Sequence, residues 1–290
     1  MDLDYGSQMI PVGRLAPGNQ WDQNMLDRLF RNELYPTGLE FKTTAGYPVG
    51  DGCVLIIPGR YWAEHTGKIT EAIRQYRWVL GIRTSDEEDL FDIMKVEHPN
   101  IRWWTQTPRT DREYDARLIG LGYPPHFNKL HDRDRLLNVF LSAQDTHGRR
   151  KECFAHLEGL RFSRIHQTAG FTEGLNASEY TECMCTGKVA PAPSGAVSPD
   201  SFRLYEALEA HCVPIADDVS PSYASQGYWR RMFPDAPFPI LTDYGQLSEL
   251  IDEALGDWPR NANRITAWWM QTKRQMSKWL REDLHALGAL

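Results

Sequence analysis

The chain has 290 residues, 41% of them hydrophobic and 24% charged, a mixture able to bury one large or two medium cores. A net charge of −7 and a pI of about 5.7 exclude a uniformly basic nucleic-acid coat, although not a local basic groove. The start MDLDYGSQMIPVGRL lacks a basic stretch followed by an apolar run, no segment approaches the roughly 18 apolar residues of a membrane span, and the scattered cysteines fit a reducing compartment, so a cytoplasmic protein is expected.

The first 50 residues read as irregular, with one helix near Asp22–Asn32. Cys53–Pro58 (CVLIIP) is a short apolar, β-branched run and reads as a buried strand. It ends in a loop over Pro58–Trp62, and a helical pattern follows over His65–Trp78. Val79–Ile82 and Ile101–Thr105 read as further strands, with a short acidic helix over Asp86–Met94 between them. GLGYPP at Gly120–Pro125 and the charged run after it break the pattern. The domain division is therefore expected at 130/131, with residues 1–130 as an acceptor-side domain and 131–258 as a donor-binding domain.

The alternation then restarts. Leu136–Leu141 is a strand, Ser142–Gly148 a loop and Arg149–Leu160 a helix. Arg161–Gln167 is a strand, Ala177–Cys185 a helix and Lys188–Val197 a loop rich in Pro, Ala and Gly. Ser198–Ala210 is a helix, Cys212–Ala216 and Phe238–Leu241 are strands, and Gly245–Leu255 is a helix. Pro259–Leu287 carries a long helical pattern, expected to pack back on the first domain. Strands alternating with helices indicate parallel sheets, which bind ligands beyond the carboxyl ends of their strands. The fold class expected is α/β, with two facing Rossmann-like domains.

Cys183 and Cys185 form a C-x-C without further ligands at zinc spacing, so they read as buried thiols and no metal site is expected. Ten tryptophans is a high count, and several lie beside basic residues: Arg102-Trp103-Trp104, Trp258-Pro259-Arg260, and Trp268-Trp269 before Lys273-Arg274. They read as helix packing, the alternative being a platform that stacks sugars or bases.

The most informative stretch is Thr186–Asp218. Ser198 is a good N-cap and Pro199 suits a first helical position, so a helix start there turns free backbone N–H groups toward the preceding loop, an arrangement suited to phosphate. Ser198 and Ser201 can add hydroxyls, and Arg203 a guanidinium that matches phosphate oxygens. Asp200 competes for the same N–H groups. Glu206 could accept both hydroxyls of a ribose. The residues alone equally allow an ordinary amphipathic helix with Glu206 solvated.

The run S-P-D-S-x-R-L-Y-E-A-L-x-A-x-C-V-P-I resembles the exostosin-like glycosyltransferases, with Ser198, Arg203, Glu206, Ala207, Cys212, Val213 and Pro214 matching in order. Leu136–Arg150 is similar to the strand, polar loop and arginine-bearing helix start that open the donor domain of that family. The resemblance implies a GT-B fold, a nucleotide-sugar donor (UDP-linked) held mainly by the second domain, and no obligatory metal or cofactor. It places Glu206 at the donor ribose and Ser198 and Arg203 near the diphosphate, with Gln144, Thr146, Arg149 and Arg150 approaching the phosphates. Ser198 stands where many retaining GT-B enzymes carry an acid, which leans toward inversion. The chain is shorter than animal and plant members and has no membrane anchor, which points to a bacterial or phage enzyme moving a hexose or pentose.

Inversion requires a base. The candidates are Asp51, Glu64, His65 and Asp111, and Arg60 is an acceptor-side candidate. His147, beside Arg149 and Arg150, could reach a phosphate or merely decorate a helix start. The acceptor is expected to be a glycan, with a hydroxymethylated DNA base of a phage as second choice. A non-catalytic nucleotide- or sugar-binding protein is the alternative from another class. The G-x-G-x-x-G fingerprint of a nicotinamide enzyme is missing.

Overall fold

The computed structural model describes residues 9–16, 21–85, 95–130, 132–170 and 173–290. The acidic helix expected at Asp86–Met94 lies outside them. The chain divides into two compact units. The first holds residues 1–108, 112–120 and 271–290, and the second holds 109–111 and 121–270. The change at 120/121 falls at the start of the GLGYPP break.

In the first unit the elements run β1 (Met9–Arg14), α1 (Asn24–Phe30), β2 (Glu40–Ala45), β3 (Gly52–Pro58), α2 (Gly59–Gln75), β4 (Trp78–Thr84), β5 (Ile101–Thr105) and β6 (Arg117–Leu118). The strands form a parallel sheet in the order β2-β1-β3-β4-β5-β6. β3 and β4 are buried almost throughout, as the apolar runs of a sheet covered on both faces must be.

Two strands lie in the region expected to be irregular. β1 carries Pro11 and Gly13, and β2 is a polar edge strand, so neither shows a clear apolar alternation. Gly13 is required by close packing, because a Cβ there would lie 2.6 Å from the carbonyl oxygen of Gly46. Phe41 of β2 still packs on Phe30 of α1, ring centroids 5.3 Å apart. The loop expected at Pro58–Trp62 is instead the opening of α2, which starts directly after β3 and breaks at His65, where φ is −129° and ψ 21°. Trp62, Ile69 and Ile73 of α2 close over a core that includes Cys53, Leu55, Val79 and Trp103. Gly81 makes room for the Trp103 ring, which would lie 2.2 Å from a Cβ at that position.

The second unit contains β7 (Leu137–Gln144), α3 (Gly148–Leu157), β8 (Ser163–Thr168), α4 (Ala177–Thr186), β9 (Gly187–Ala192), α5 (Phe202–Glu209), β10 (Val213–Asp217), α6 (Tyr228–Met232), β11 (Ile240–Leu241) and α7 (Leu247–Gly256). Its parallel sheet has the order β11-β10-β9-β7-β8. The loop expected over Lys188–Val197 is corrected here, because its first part is β9, a central strand. Gly187–Ala192 (GKVAPA) lacks large apolar side chains and contains Pro191, which ordinarily argues against a central strand. The ladder to β7 is paired only at Gly187 and Val189, so the missing N–H of Pro191 falls beyond it.

The terminal helix α8 (Trp258–Ala286) contributes residues 258–270 to the second unit and 271–286 to the first. In the first unit Asp283 is buried and takes hydrogen bonds from Trp104 Nε1 (2.7 Å), Arg117 Nε (2.7 Å) and Arg102 Nη1 (3.3 Å). In the second unit Trp269 donates to Glu209 at 2.6 Å, and Trp268 meets Phe233 and Phe238 edge-on. Both tryptophan pairs are therefore packing residues, Trp268-Trp269 on a helix as expected and Trp103-Trp104 on the strand β5 instead.

Candidate functional site

The carboxyl ends of β7, β9 and β10 converge in the second unit, and the segment between β9 and α5 crosses above them. Ser194 fixes that segment at one end: its Oγ donates to the carbonyl of Val219 (2.7 Å) and its N–H to Asp217 Oδ2 (3.4 Å). Ser220 Oγ donates to the carbonyl of Val197 (2.7 Å). A Cβ at Gly195 would stand 2.6 Å from the carbonyl of Asp200, so the turn needs glycine for space.

The helix start differs from the expectation. α5 opens at Phe202 with Ser201 as N-cap, not at Pro199 behind Ser198. Ser198 Oγ instead accepts the N–H of Asp200 at 3.1 Å, a local turn that delays the helix by one turn. Asp200 faces inward: it is 1% exposed and its Oδ2 accepts from Tyr228 OH at 2.8 Å. Ser201 makes no side-chain cap, and its Oγ is buried without a hydrogen-bond partner among the described residues.

Arg203 in the first turn donates through Nε to the carbonyl of Ser142 (3.0 Å), and its terminal amino groups make no hydrogen bond among the described residues. Glu206, one turn on, is 3% exposed, which overturns the solvated alternative; its Oε2 accepts from Tyr180 OH at 2.5 Å. Burial raises its pKa, opposed by the charge of Arg203 and the hydrogen bond from Tyr180.

The β7–α3 loop supplies the other candidates. Arg150 is buried and donates to the carbonyls of Ser194 (3.0 Å) and Gln144 (3.4 Å), tying this loop to the segment before α5. Arg149 turns the other way and forks onto the fully buried Asp217, Nη2 to Oδ1 at 2.6 Å and Nε to Oδ2 at 2.8 Å. Thr146 is exposed and Gln144 half-buried. His147 precedes α3, its Nε2 3.2 Å from the carbonyl of Ser194, which requires the proton on that nitrogen and leaves Nδ1 as a buried lone pair. Burial and then the charge of Arg150 lower its pKa.

In the first unit Arg60 and Glu64 are exposed on the opening turns of α2, at the carboxyl end of β3. His65 is half-buried at the helix break, stacked on Tyr61 at 4.2 Å. Asp51 lies at the opposite, amino end of β3. Asp111 groups with the second unit and is paired there with Arg109, whose guanidinium lies 3.9 Å from the Tyr223 ring centroid. A polar group that the sequence did not flag occupies the carboxyl ends of β4 and β5. Arg83, fully buried, donates to Thr105 Oγ1 and the Gln106 carbonyl at 2.6 Å each, and Gln106 Nε2 donates to the carbonyl of Asp22 at 2.9 Å.

No protein-family model matches the sequence, and no curated protein does. Among solved structures, a mutant of the O-GlcNAc transferase of Thermobaculum terrenum superposes with a TM-score of 0.57 at 10% identity, covering 98% of this chain and 69% of that one. An α1,3-fucosyltransferase gives a TM-score of 0.44 at 12% identity, covering 90% of this chain and 82% of that one. Two parallel-sheet units and a long terminal helix that contributes to both complete the pattern. The chain has the GT-B fold.

Within the second GT-B unit, sequence reasoning missed Tyr180, Asp217 and the inward role of Asp200. The acid pair Asp217-Asp218 directly after an apolar run was a visible signal. Tyr180 had none, because it reaches Glu206 only across 26 residues of chain. Asp200 carries a pH dependence. Burial pushes its carboxyl up to about 6, against hydrogen bonds from Tyr228 and neighbouring N–H groups. A carboxyl that folding raises binds its proton more tightly in the folded state, so its contribution is greatest below pH ~4 and is lost as pH rises toward 6. Relative to Asp200→Asn, the wild-type chain is expected to lose up to about 3 kcal/mol between pH 4 and 7. Denaturant midpoints of both proteins across that range check this, and parallel curves would contradict it.

Proposed function

We propose that this chain is a glycosyltransferase that binds a UDP-linked sugar in its second unit and transfers a hexose or pentose, with inversion, to an acceptor hydroxyl. The observation that carries the reading is the start of α5, which has no side-chain cap among the described residues: Ser201 Oγ is buried there without a hydrogen bond, the terminal amino groups of Arg203 make none, and Glu206 lies one turn further, on a GT-B fold. A helix start of this kind offers backbone N–H groups and partial positive charge to a diphosphate. Arg203 adds a donor suited to phosphate oxygens, and Glu206 stands where it can take ribose hydroxyls. The exostosin-like run over residues 198–214 supports the same roles.

In this reading the leaving diphosphate is stabilised by the α5 start and Arg203, with Ser198, Gln144, Thr146 and Arg150 lining the approach and Arg149 shaping it from its place on Asp217. These groups supply the positive charge that the leaving group needs, so the reaction is proposed to need no metal or other cofactor. The acceptor proton goes to Glu64 or His65 at the carboxyl end of β3, with Arg60 beside them; Asp111 is the third candidate, drawn toward Arg109. Because the tryptophan pairs are packed into the two units, a glycan is proposed as acceptor ahead of a DNA base. Among the described residues no helix is long and apolar enough to cross a membrane, and the enzyme is proposed to act in the cytoplasm of a bacterium or of a phage-infected cell.

The test is incubation with a panel of nucleotide sugars, with and without a chelator, while following nucleoside diphosphate release. One donor should be turned over, unaffected by the chelator. If no donor is turned over and no nucleoside diphosphate binds, the reading is lost.

A further inference from the structure

The Glu206 carboxylate is held from a second element. Tyr180 lies in the first turns of α4, whose start is pinned by a full capping box: the Asn176 side chain accepts the Glu179 N–H at 3.0 Å, and Glu179 accepts the Asn176 N–H at 3.1 Å. The Tyr180 ring is seated among His126, Phe127 and Phe140, with centroids 6.2, 6.0 and 5.5 Å away. This leaves the phenol little freedom, and its oxygen stands 2.5 Å from Glu206 Oε2. Glu206 Oε1 has no hydrogen bond among the described residues.

We propose that Tyr180 is a positioning residue of the donor site, fixing the Glu206 carboxylate so that its second oxygen meets the ribose hydroxyls. This rests on the reading of Glu206 as the ribose carboxylate. A glutamate side chain has three rotatable bonds, and a hydrogen bond from a rigid ring selects one arrangement before the nucleotide arrives. Each carboxylate oxygen has two acceptor positions, so the phenol occupies one and leaves room for both hydroxyls. The phenol also favours the charged carboxylate. Facing this pair are Arg203 from α5, His126 behind the Tyr180 ring, and the Cys212 thiol ahead of β10. Burial holds His126 toward neutral and pushes the Cys212 thiol up to about 12, so Arg203 is the charged neighbour near neutral pH.

The experiment compares the full chain with Tyr180→Phe and Glu206→Gln, titrating each with uridine diphosphate and its 2′,3′-dideoxy analogue from pH 5 to 8. Tyr180→Phe should weaken uridine diphosphate roughly tenfold at pH 7 and the dideoxy analogue far less. The acid limb of its binding curve should move to higher pH, because one of the groups opposing the effect of burial on Glu206 is gone. Equal losses for both ligands with an unmoved pH profile, or no loss at all, would overturn the proposal. If Glu206→Gln binds both ligands as the wild type does, the ribose reading itself is wrong. If Glu206→Gln loses ribose preference while Tyr180→Phe keeps it, only the role of Tyr180 falls.

Discussion

Replacing Asp217 with alanine should be the most damaging single change in the second unit, costing about 3–5 kcal/mol of its stability. Asp217 is fully buried at the end of β10 and takes both arms of Arg149, Tyr244 OH at 3.0 Å and the N–H groups of Ser194 and Val219. Alanine would leave a largely covered guanidinium, a phenol and two backbone donors without their acceptor. Because Ser194 anchors the segment before α5, nucleotide affinity should fall as well. Denaturant unfolding of Asp217→Ala, Arg149→Met and the double variant checks the argument. The double variant should lose clearly less than the sum of the single losses, since removing both charges avoids an orphan. Simple additivity would mean that the pair does not organise this edge.

The second large effect is expected at Glu206. Glu206→Ala should weaken nucleoside diphosphate binding by roughly a hundredfold or more. Two ribose hydroxyls each lose a bond to a charged acceptor, at about 1.5–3 kcal/mol per bond, and about 1.4 kcal/mol is tenfold in Kd. The variant also leaves Tyr180 OH without its partner, so a stability loss of about 1–3 kcal/mol should accompany it. The two consequences separate by ligand: a dideoxy nucleotide should bind wild type and variant with similar affinity. If calorimetry shows the variant binding uridine diphosphate undiminished, Glu206 is a structural acid and the donor lies elsewhere.

Much of the second unit was legible in the sequence because its signals are local. LLNVFL, the arginines that open α3, and the alternation of apolar runs with amphipathic stretches all found their elements within a few residues. The helix carrying Arg203 and Glu206 was found too, although its start was placed a turn early. Ser198-Pro199 has the composition of a helix start, but Ser198 bonds to Asp200 and Asp200 is drawn inward by Tyr228, neither of which composition can rank. β9 escaped because its burial comes from the elements packed over it, not from large side chains of its own. β1 and β2 escaped because a proline, a glycine and a polar edge erase the alternation by which strands are read.

The sequence by itself determined the parallel α/β class and a helix that sets an arginine and a glutamate one turn apart behind the run Ser198–Ser201. These follow from apolar periodicity and turn chemistry, which act over a few residues. Only the tertiary structure decided what each polar group does. It sent Arg149 to Asp217, tied Arg150 to Ser194, turned Asp200 inward and brought Tyr180 to Glu206. The reason is physical: a buried polar group is costly without a partner, and the partner that wins is whichever the packed sheets and helices bring within about 3 Å, however far away it lies along the chain.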